Sequence, residues 1–389
     1  MDKIKVAVIG AAGRIGPYLV RRLALENAYE PVPVIRDKMA IRFLGDYRQF
    51  TRVGSITDSS SARRLIGDCQ VVINLAFSGS TSSAIANNTR LAEAITTLKT
   101  TNVFINLSTI SVYGLPFTEN RMNFVKPKPN SPYGMSKLAM EKIVAGALKK
   151  TDSRYFLIRL GNVYGPSQTV SRMVFEDVMS PSFELPFGGD LASNAVSVER
   201  FIEGVISILN NPPQNGVYNC TEEPQRTWRE IYRMHTDAWN LPPVASMSQQ
   251  SSNSLRKKVG IASGVESLSI QHKLKSSKRY FFHNSLGNNR FSKKLYLKFR
   301  DYVPINVDNW IARNMGRTLS DVVIERIAES APDISQNKSV LLLLSDPVPG
   351  RNLKLGSSSN VSMMNTSEDL SAWFRDLTDF SWDTSDLQM

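Results

Sequence analysis

Apolar residues in this chain gather into short, nearly unbroken runs, each followed by a polar or glycine-bearing stretch and then by a helical pattern. The runs are IKVAVI (4–9), PVPVIRD (31–37), VVINLAF (71–77), VFINLS (103–108) and RYFLIRL (154–160). Runs apolar on both faces, rather than alternating, suit strands covered on both sides of a parallel sheet. Between them, helical spacing is expected over 17–24, 84–98 and from Ser131 onward. Such alternation over the first 165 residues predicts an α/β architecture, a doubly wound parallel sheet. Ligands of such a sheet lie outside the carboxyl ends of the strands.

Beyond about Leu241 the pattern changes. Residues 245–255 are rich in Ser, Gln and Asn and are expected to be a linker. A helix is predicted over 321–329 with Ser320 as its N-cap, and a strand over 340–344. In the tail, Leu370, Trp373, Phe374, Leu377 and Phe380 fall on one helical face.

Composition narrows the class. A chain of 389 residues with 42% hydrophobic content can bury a sizeable core. Cys69 and Cys220 give neither a disulfide framework nor a metal cluster and are expected in the core. Three scattered histidines make a His-based metal site unexpected. There is no signal-like opening, and the longest apolar run, VLLLL at 340–344, is too short to span a bilayer. A cytoplasmic protein is expected, with peripheral membrane association as an alternative.

The net charge of +12 is unevenly placed. Residues 251–300 hold twelve Lys or Arg against Glu266, while 366–389 hold six acids against Arg375. In the basic stretch, Tyr280, Phe281, Phe282, Phe291, Tyr296 and Phe299 interleave with the cations. That pattern suits an anionic membrane surface or an acidic protein partner; nucleic acid is the less favoured alternative. A solvated helix face over a small core accounts for it equally well. The two oppositely charged segments could also dock on each other or across a homodimer.

The chemistry concentrates in SPYGMSKLAMEK (131–142), where Tyr133 and Lys137 stand four apart on one helical face. A phenol has a pKa of about 10, and a nearby ammonium lowers it enough for Tyr133 to act as general acid or base. Upstream, Gly10, Gly13 and Gly16 follow the first strand directly, the arrangement that lets a helix N-terminus meet a pyrophosphate. The INLSTISVYG stretch ends its strand in Ser108 and Thr109.

These four pieces, G-x-x-G-x-x-G, a Thr three residues before Val112-Tyr113-Gly114, Y-x-x-x-K, and R-x-x-N-V-Y-G-P at 159–166, resemble the NAD-dependent epimerase/dehydratase family of extended short-chain dehydrogenases/reductases. The resemblance implies a Rossmann-type domain over 1–240, its substrate-binding portion mainly 166–235, and a C-terminal extension over 241–389. It implies catalysis by Tyr133, Lys137 and Thr109, with Ser108 as substitute if the register slips, and substrate contacts from Thr109 and Asn162. Cofactor contacts would come from Gly10, Ala12, Gly13, Arg14, Ile15, Gly16, Arg36, Asp37, Ile56, Leu75, Ala76 and Phe77, besides Tyr133 and Lys137. The cofactor is NADP or NAD; Arg36, with Arg14 near by, favours NADP, while Asp37 would favour NAD.

Three departures from the family pattern shape the expected reaction. Ser55 replaces an Asp that meets the adenine. Ile110 and Ser111 stand where dehydratases carry an acidic pair, which disfavours water elimination. Ser193 stands where nucleotide-sugar enzymes place a diphosphate-binding Arg, with Arg172 or Arg200 as stand-ins. The expected function is an NAD(P)-dependent oxidoreductase or epimerase of a secondary alcohol or ketone, on a sugar or sugar nucleotide. The alternatives are a membrane-associated dehydrogenase of a lipid-like alcohol and a non-catalytic cofactor-sensing regulator.

Overall fold

The structure, a computed structural model, describes residues 2–56, 58–77, 81–98, 100–114, 126–129, 131–260 and Leu343. Its main sheet has seven strands: β1 (Ile4–Ile9), β2 (Tyr29–Ile35), β3 (Arg52–Val53), β4 (Val71–Asn74), β5 (Val103–Thr109), β6 (Arg154–Leu160) and β9 (Gly216–Cys220). Their order is β3-β2-β1-β4-β5-β6-β9, and every pairing is parallel. The order reverses at β1, so the first crevice opens between the ends of β1 and β4. A second, two-stranded parallel ribbon joins β7 (Asn162–Tyr164) to β8 (Ala195–Ser197).

The unbroken apolar runs are explained by helices on both faces. Val6 and Val8 of β1 pack on one side with Leu19 and Leu23 of α1 (Gly16–Leu25) and Phe201 and Val205 of α6 (Val198–Asn210). Ala7 and Ile9 pack on the other with Ile66 of α2 (Ser59–Ile66), Leu91 and Ile95 of α3 (Thr81–Thr97), and Val144 and Leu148 of α4 (Pro132–Leu148). Each alternate residue thus has its own core, as a period of two requires. Cys69 and Cys220 are free thiols within these cores, and burial pushes the Cys69 thiol up to about 12.

A third core, around Trp228, Ile231 and Tyr232 of α7 (Trp228–Trp239), holds Val170 and Val174 of α5 (Thr169–Val178), together with Leu185. α7 begins with a complete capping box, Thr227 and Glu230 satisfying each other's backbone. The expected linker at 245–255 is instead part of this body. Leu185 bonds Ala245 O at 2.8 Å and receives Met247 N at 3.0 Å, and Gln249–Gly260 form α8. Ser252 is fully buried and its hydroxyl accepts from Phe187 N at 2.9 Å. Polar composition misled here, because small hydroxyl residues can pair with backbone as readily as with water. Of the strand expected at 340–344, Leu343 alone is described; its backbone is helical and its side chain is buried in the third core. The helix expected at 321–329, the acidic tail and residues 261–300 of the basic segment lie outside the described residues. Among the described residues no helix is long and apolar enough to cross a membrane.

One polar row crosses the apolar sheet. Ser108, Arg159 and Asn219 are neighbours in register on β5, β6 and β9, so their side chains emerge on one face. Over them lies α4, whose Glu141 takes a two-pronged bond from Arg159, Nε to Oε1 at 2.9 Å and Nη2 to Oε2 at 2.7 Å. Ser108 donates to Glu141, Arg159 Nη1 to the Tyr113 hydroxyl, and that hydroxyl to Asn219. Every member is buried. A buried pair of this kind is costly to break and cheap to replace as a whole. We therefore expect Glu141→Leu to cost about 3–5 kcal/mol in urea unfolding, and Glu141→Leu with Arg159→Met to recover most of it. A double variant as unstable as the single one would show that the pair itself, not a stranded charge, carries the stability.

Candidate active site

The carboxyl ends of β1, β2, β4, β5 and β6 converge on one groove. At the end of β1, Gly10 adopts φ +83°, and a Cβ there would lie 2.9 Å from Ala76 N, so only glycine lets the β1 and β4 ends touch. At Gly16 a Cβ would run into the Ala11 carbonyl, so α1 begins pressed against the turn. Buried Asn74 braces the facing loop: its amide donates to Asn106 at 2.7 Å and Asn88 at 3.2 Å, and its oxygen accepts from Ala76 N at 3.2 Å.

The groove comprises two adjoining volumes that share Gly10, Gly13, Leu75 and Phe77. The first, about 340 Å³, is also lined by Arg36, Ser55, Ile56, Ala76, Asn87 and Asn88. The second, about 390 Å³, takes in Arg14, Ile15, Gly16, Ser108, Thr109, Ser111, Tyr133, Lys137, Asn162 and Thr169. Of the residues expected at the site, Ala12 and Asp37 line neither volume. Asp37 caps the turn that follows it, accepting from Met39 N at 2.9 Å, whereas Arg36 is exposed on the groove wall. Among the described residues no Asp or Glu lines either volume.

Strand alternation separates the two candidate hydroxyls. Ser108 is spent on Glu141, whereas Thr109 donates to the Ser111 hydroxyl at 3.2 Å and lines the second volume together with Tyr133. Tyr133 stays accessible from the groove at 42% exposure, its ring edge-on to Phe77 with centroids 5.0 Å apart. Lys137 is buried; its Nζ donates to Leu107 O at 2.9 Å and lies 5.1 Å from the Phe77 centroid and 5.9 Å from that of Tyr133. The surrounding protein lowers the Lys137 pKa to about 8, with Glu141, one turn on, pulling it back up.

The expected lowering of the phenol by Lys137 does not appear. Burial raises the Tyr133 pKa, and only the Thr109 hydroxyl opposes it; the Lys137 ammonium donates to Leu107 O rather than to the phenol oxygen. Arg14 also departs from expectation. Its guanidinium reaches across to the Thr169 hydroxyl on α5, in the second volume, so it does not reinforce Arg36 in the first.

Asn162 does line the second volume, held by a 2.7 Å bond from its amide to Ser193 O. Ser193 is buried and donates to Arg226 O at 2.8 Å, and Arg200 lines neither volume. Of the two suggested stand-ins only Arg172 is near; it pairs with Glu176 at 2.7 Å and its charge is felt by Arg14. Sequence reasoning gave no role to Glu141, Arg159 or the Asn74 cluster. Arg159 had a signal as the first residue of R-x-x-N-V-Y-G-P, and Glu141 had one in lying four residues after Lys137 on the same helix. Among the described residues no three His, Cys, Asp or Glu side chains gather as a metal site.

Comparison with known proteins follows the geometry. The sequence model of the NAD dependent epimerase/dehydratase family matches residues 6–220. The dTDP-L-rhamnose 4-epimerase of Burkholderia thailandensis is 22% identical over 275 residues, covering 55% of this chain and 75% of the relative. The UDP-glucose 4-epimerase of Vibrio cholerae is 23% identical over 264 residues, covering 61% and 78%. Among solved structures, UDP-glucuronic acid 4-epimerase from Bacillus cereus, in complex with NAD, superposes with a TM-score of 0.51 at 23% identity, over 62% of this chain and 86% of the other. At that identity the superposition establishes the fold.

The Lys137 geometry makes a prediction about stability. Between about 8 in the folded chain and 10.5 unfolded, the unfolded state holds more protons, so stability rises with pH through that window. Below it the buried ammonium costs roughly 3 kcal/mol. Lys137→Met is therefore expected to stabilise the protein by about 1–3 kcal/mol at pH 7 in urea unfolding, the gain shrinking as the pH approaches 10.5. A variant less stable than wild type at pH 7 would contradict this.

Proposed function

The chain belongs to the NAD dependent epimerase/dehydratase family, and on that premise we propose that it transfers hydride reversibly at a secondary alcohol of a nucleotide-linked sugar, as a reductase or an epimerase. The observation that carries this reading is that Thr109, Tyr133 and buried Lys137 line one end of a groove whose described lining residues include no carboxylate. The residues fit a nicotinamide dinucleotide. A turn in which Gly10 and Gly16 admit no Cβ leads into α1, and the groove continues past it from Arg36 to Lys137.

Bound there, the dinucleotide would accept hydride from the carbinol carbon and return it. On reduction the Tyr133 phenol gives its proton to the carbonyl oxygen, and on oxidation its phenolate takes the proton from the alcohol. Thr109 donates to the same oxygen and holds it against the phenol. With a pKa of about 8, Lys137 is mostly cationic at neutral pH and offsets charge that develops on the phenolate. Elimination of water lacks its acid: Ile110 is turned into the core with Val112 and Tyr113, and Ser111 is a neutral hydroxyl on the groove.

Nucleotide sugars are named in the activities of the Burkholderia and Vibrio relatives, which supports that substrate class. For the cofactor, the Bacillus cereus relative carries NAD, whereas Arg36 on the wall of the first volume suits a 2′-phosphate. We take NADP as the preferred dinucleotide.

The test is calorimetric titration of NADP and NAD, followed by turnover of UDP- and dTDP-hexoses with the dinucleotide that binds. Wild type should bind NADP more tightly. Arg36→Ala should lose roughly tenfold or more in NADP affinity while keeping NAD affinity. Turnover should yield an oxidised, reduced or inverted sugar, never a dehydrated one. Binding of neither dinucleotide would overturn the proposal, and tighter NAD binding indifferent to Arg36→Ala would overturn the cofactor preference.

A further inference from the structure

The structure assigns a second phosphate site, on the wall of the catalytic volume, to the Arg14 side chain oriented by Thr169, and we propose that it grips the diphosphate of the nucleotide-linked substrate. This rests on the function proposed above and extends it to a residue that sets specificity.

The argument begins with charge. Arg14 follows Gly13 in the turn after β1, yet its guanidinium leaves that turn and hydrogen-bonds the Thr169 hydroxyl at the start of α5, 155 residues away in sequence. A neutral hydroxyl leaves a guanidinium most of its five donors and all of its charge. No carboxylate among the described residues acts on Arg14. The perturbations on it are lost solvation and the positive charge of Arg172, one turn further along α5, and both lower its pKa. A cation crowded by a cation, on a groove wall whose described residues include no carboxylate, is costly by itself and is stabilised by an anion.

Location selects which anion. Arg14 lines the volume that holds Thr109, Tyr133 and Asn162, and does not line the volume that holds Arg36. Neither the position expected of a diphosphate-binding Arg nor its suggested substitute supplies a cation here: Ser193 is buried with its hydroxyl donated to Arg226 O, and Arg200 does not line the volume, which leaves Arg14 and Lys137 as the cations among its described lining residues. A group with two or more phosphate oxygens, entering beside α5 with its sugar toward Tyr133, would meet the free guanidinium prongs of Arg14. Backbone supports this placement, because Gln168 Nε2 donates to Arg14 O at 3.0 Å and Tyr18 donates to Pro166 O at 3.3 Å. The glycine turn and α5 are thereby tied together behind the guanidinium.

The test uses the full chain, saturated with its dinucleotide, and calorimetric titration with UDP and dTDP as probes. Arg14→Met, which keeps the apolar stem, should weaken nucleoside diphosphate binding by roughly 10- to 100-fold, with dinucleotide affinity changed less than about twofold. Thr169→Val should give a smaller loss in the same arm, on the order of threefold, and decides the matter if the melting curve shows that Arg14→Met does not fold. Unchanged UDP and dTDP affinity in both variants would overturn the assignment. A loss confined to the dinucleotide arm would also overturn it, by giving the Arg14 phosphate to the cofactor. Wild-type protein that binds neither dinucleotide nor nucleoside diphosphate would overturn the underlying function instead, and so separates the two failures.

Discussion

The two-pronged bond between Arg159 and Glu141 is the constraint on which the site depends. It joins the middle of α4 to β6, and through Ser108, Tyr113 and Asn219 it reaches β5, the turn after it and β9. Tyr133 and Lys137 ride on the first turns of the same helix, so the network sets where they stand relative to Thr109 at the end of β5. Two charges taken out of water gain little net stability, and apolar residues could fill the same space. What the pair supplies is orientation: a planar fork accepts one rotation of α4 over the sheet, whereas an apolar contact would tolerate several.

Charge placement elsewhere follows the same economy of position over stability. Lys137 is buried at a cost and lies beside the Phe77 and Tyr133 rings, with Glu141 one turn away to keep its pKa from falling further. Arg14 and Arg36 stand at separate points of the groove, and no carboxylate is among its described lining residues. Such a lining favours a ligand that brings negative charge of its own, as the proposed substrate and cofactor do.

Much of this was legible in sequence. Strands buried on two faces are written as apolar runs, and the glycine turn and the Tyr133–Lys137 spacing depend on neighbours close in the chain. The pairs of alternatives were harder, because they turn on which way a side chain leaves the backbone. Ser108 or Thr109 was decided by strand register, which places Ser108 beside Arg159 and under Glu141. Arg36 and Asp37 part in the same way: the Asp37 carboxylate caps the next turn, accepting from Met39 N, while Arg36 lines the groove. Arg14 could not be placed at all without knowing that α5 folds back to meet it. The polar stretch after Leu241 failed as a linker because its partner, Leu185, lies far away in sequence. The sign of the Tyr133 shift failed because burial, which spacing does not report, outweighs the nearby ammonium.

The central claim is that Tyr133 moves the proton while hydride passes at this groove. The most direct measurement is rapid mixing of wild-type and Tyr133→Phe protein, each loaded with oxidised dinucleotide, with a nucleotide sugar that wild type turns over. Reduced-nicotinamide absorbance would be followed. The account predicts a transient or lasting rise in wild type and a rate at least about a hundredfold lower in Tyr133→Phe at unchanged dinucleotide affinity. A rise of equal rate in the phenylalanine variant would contradict it, and the proton would have to be carried by another group on the groove.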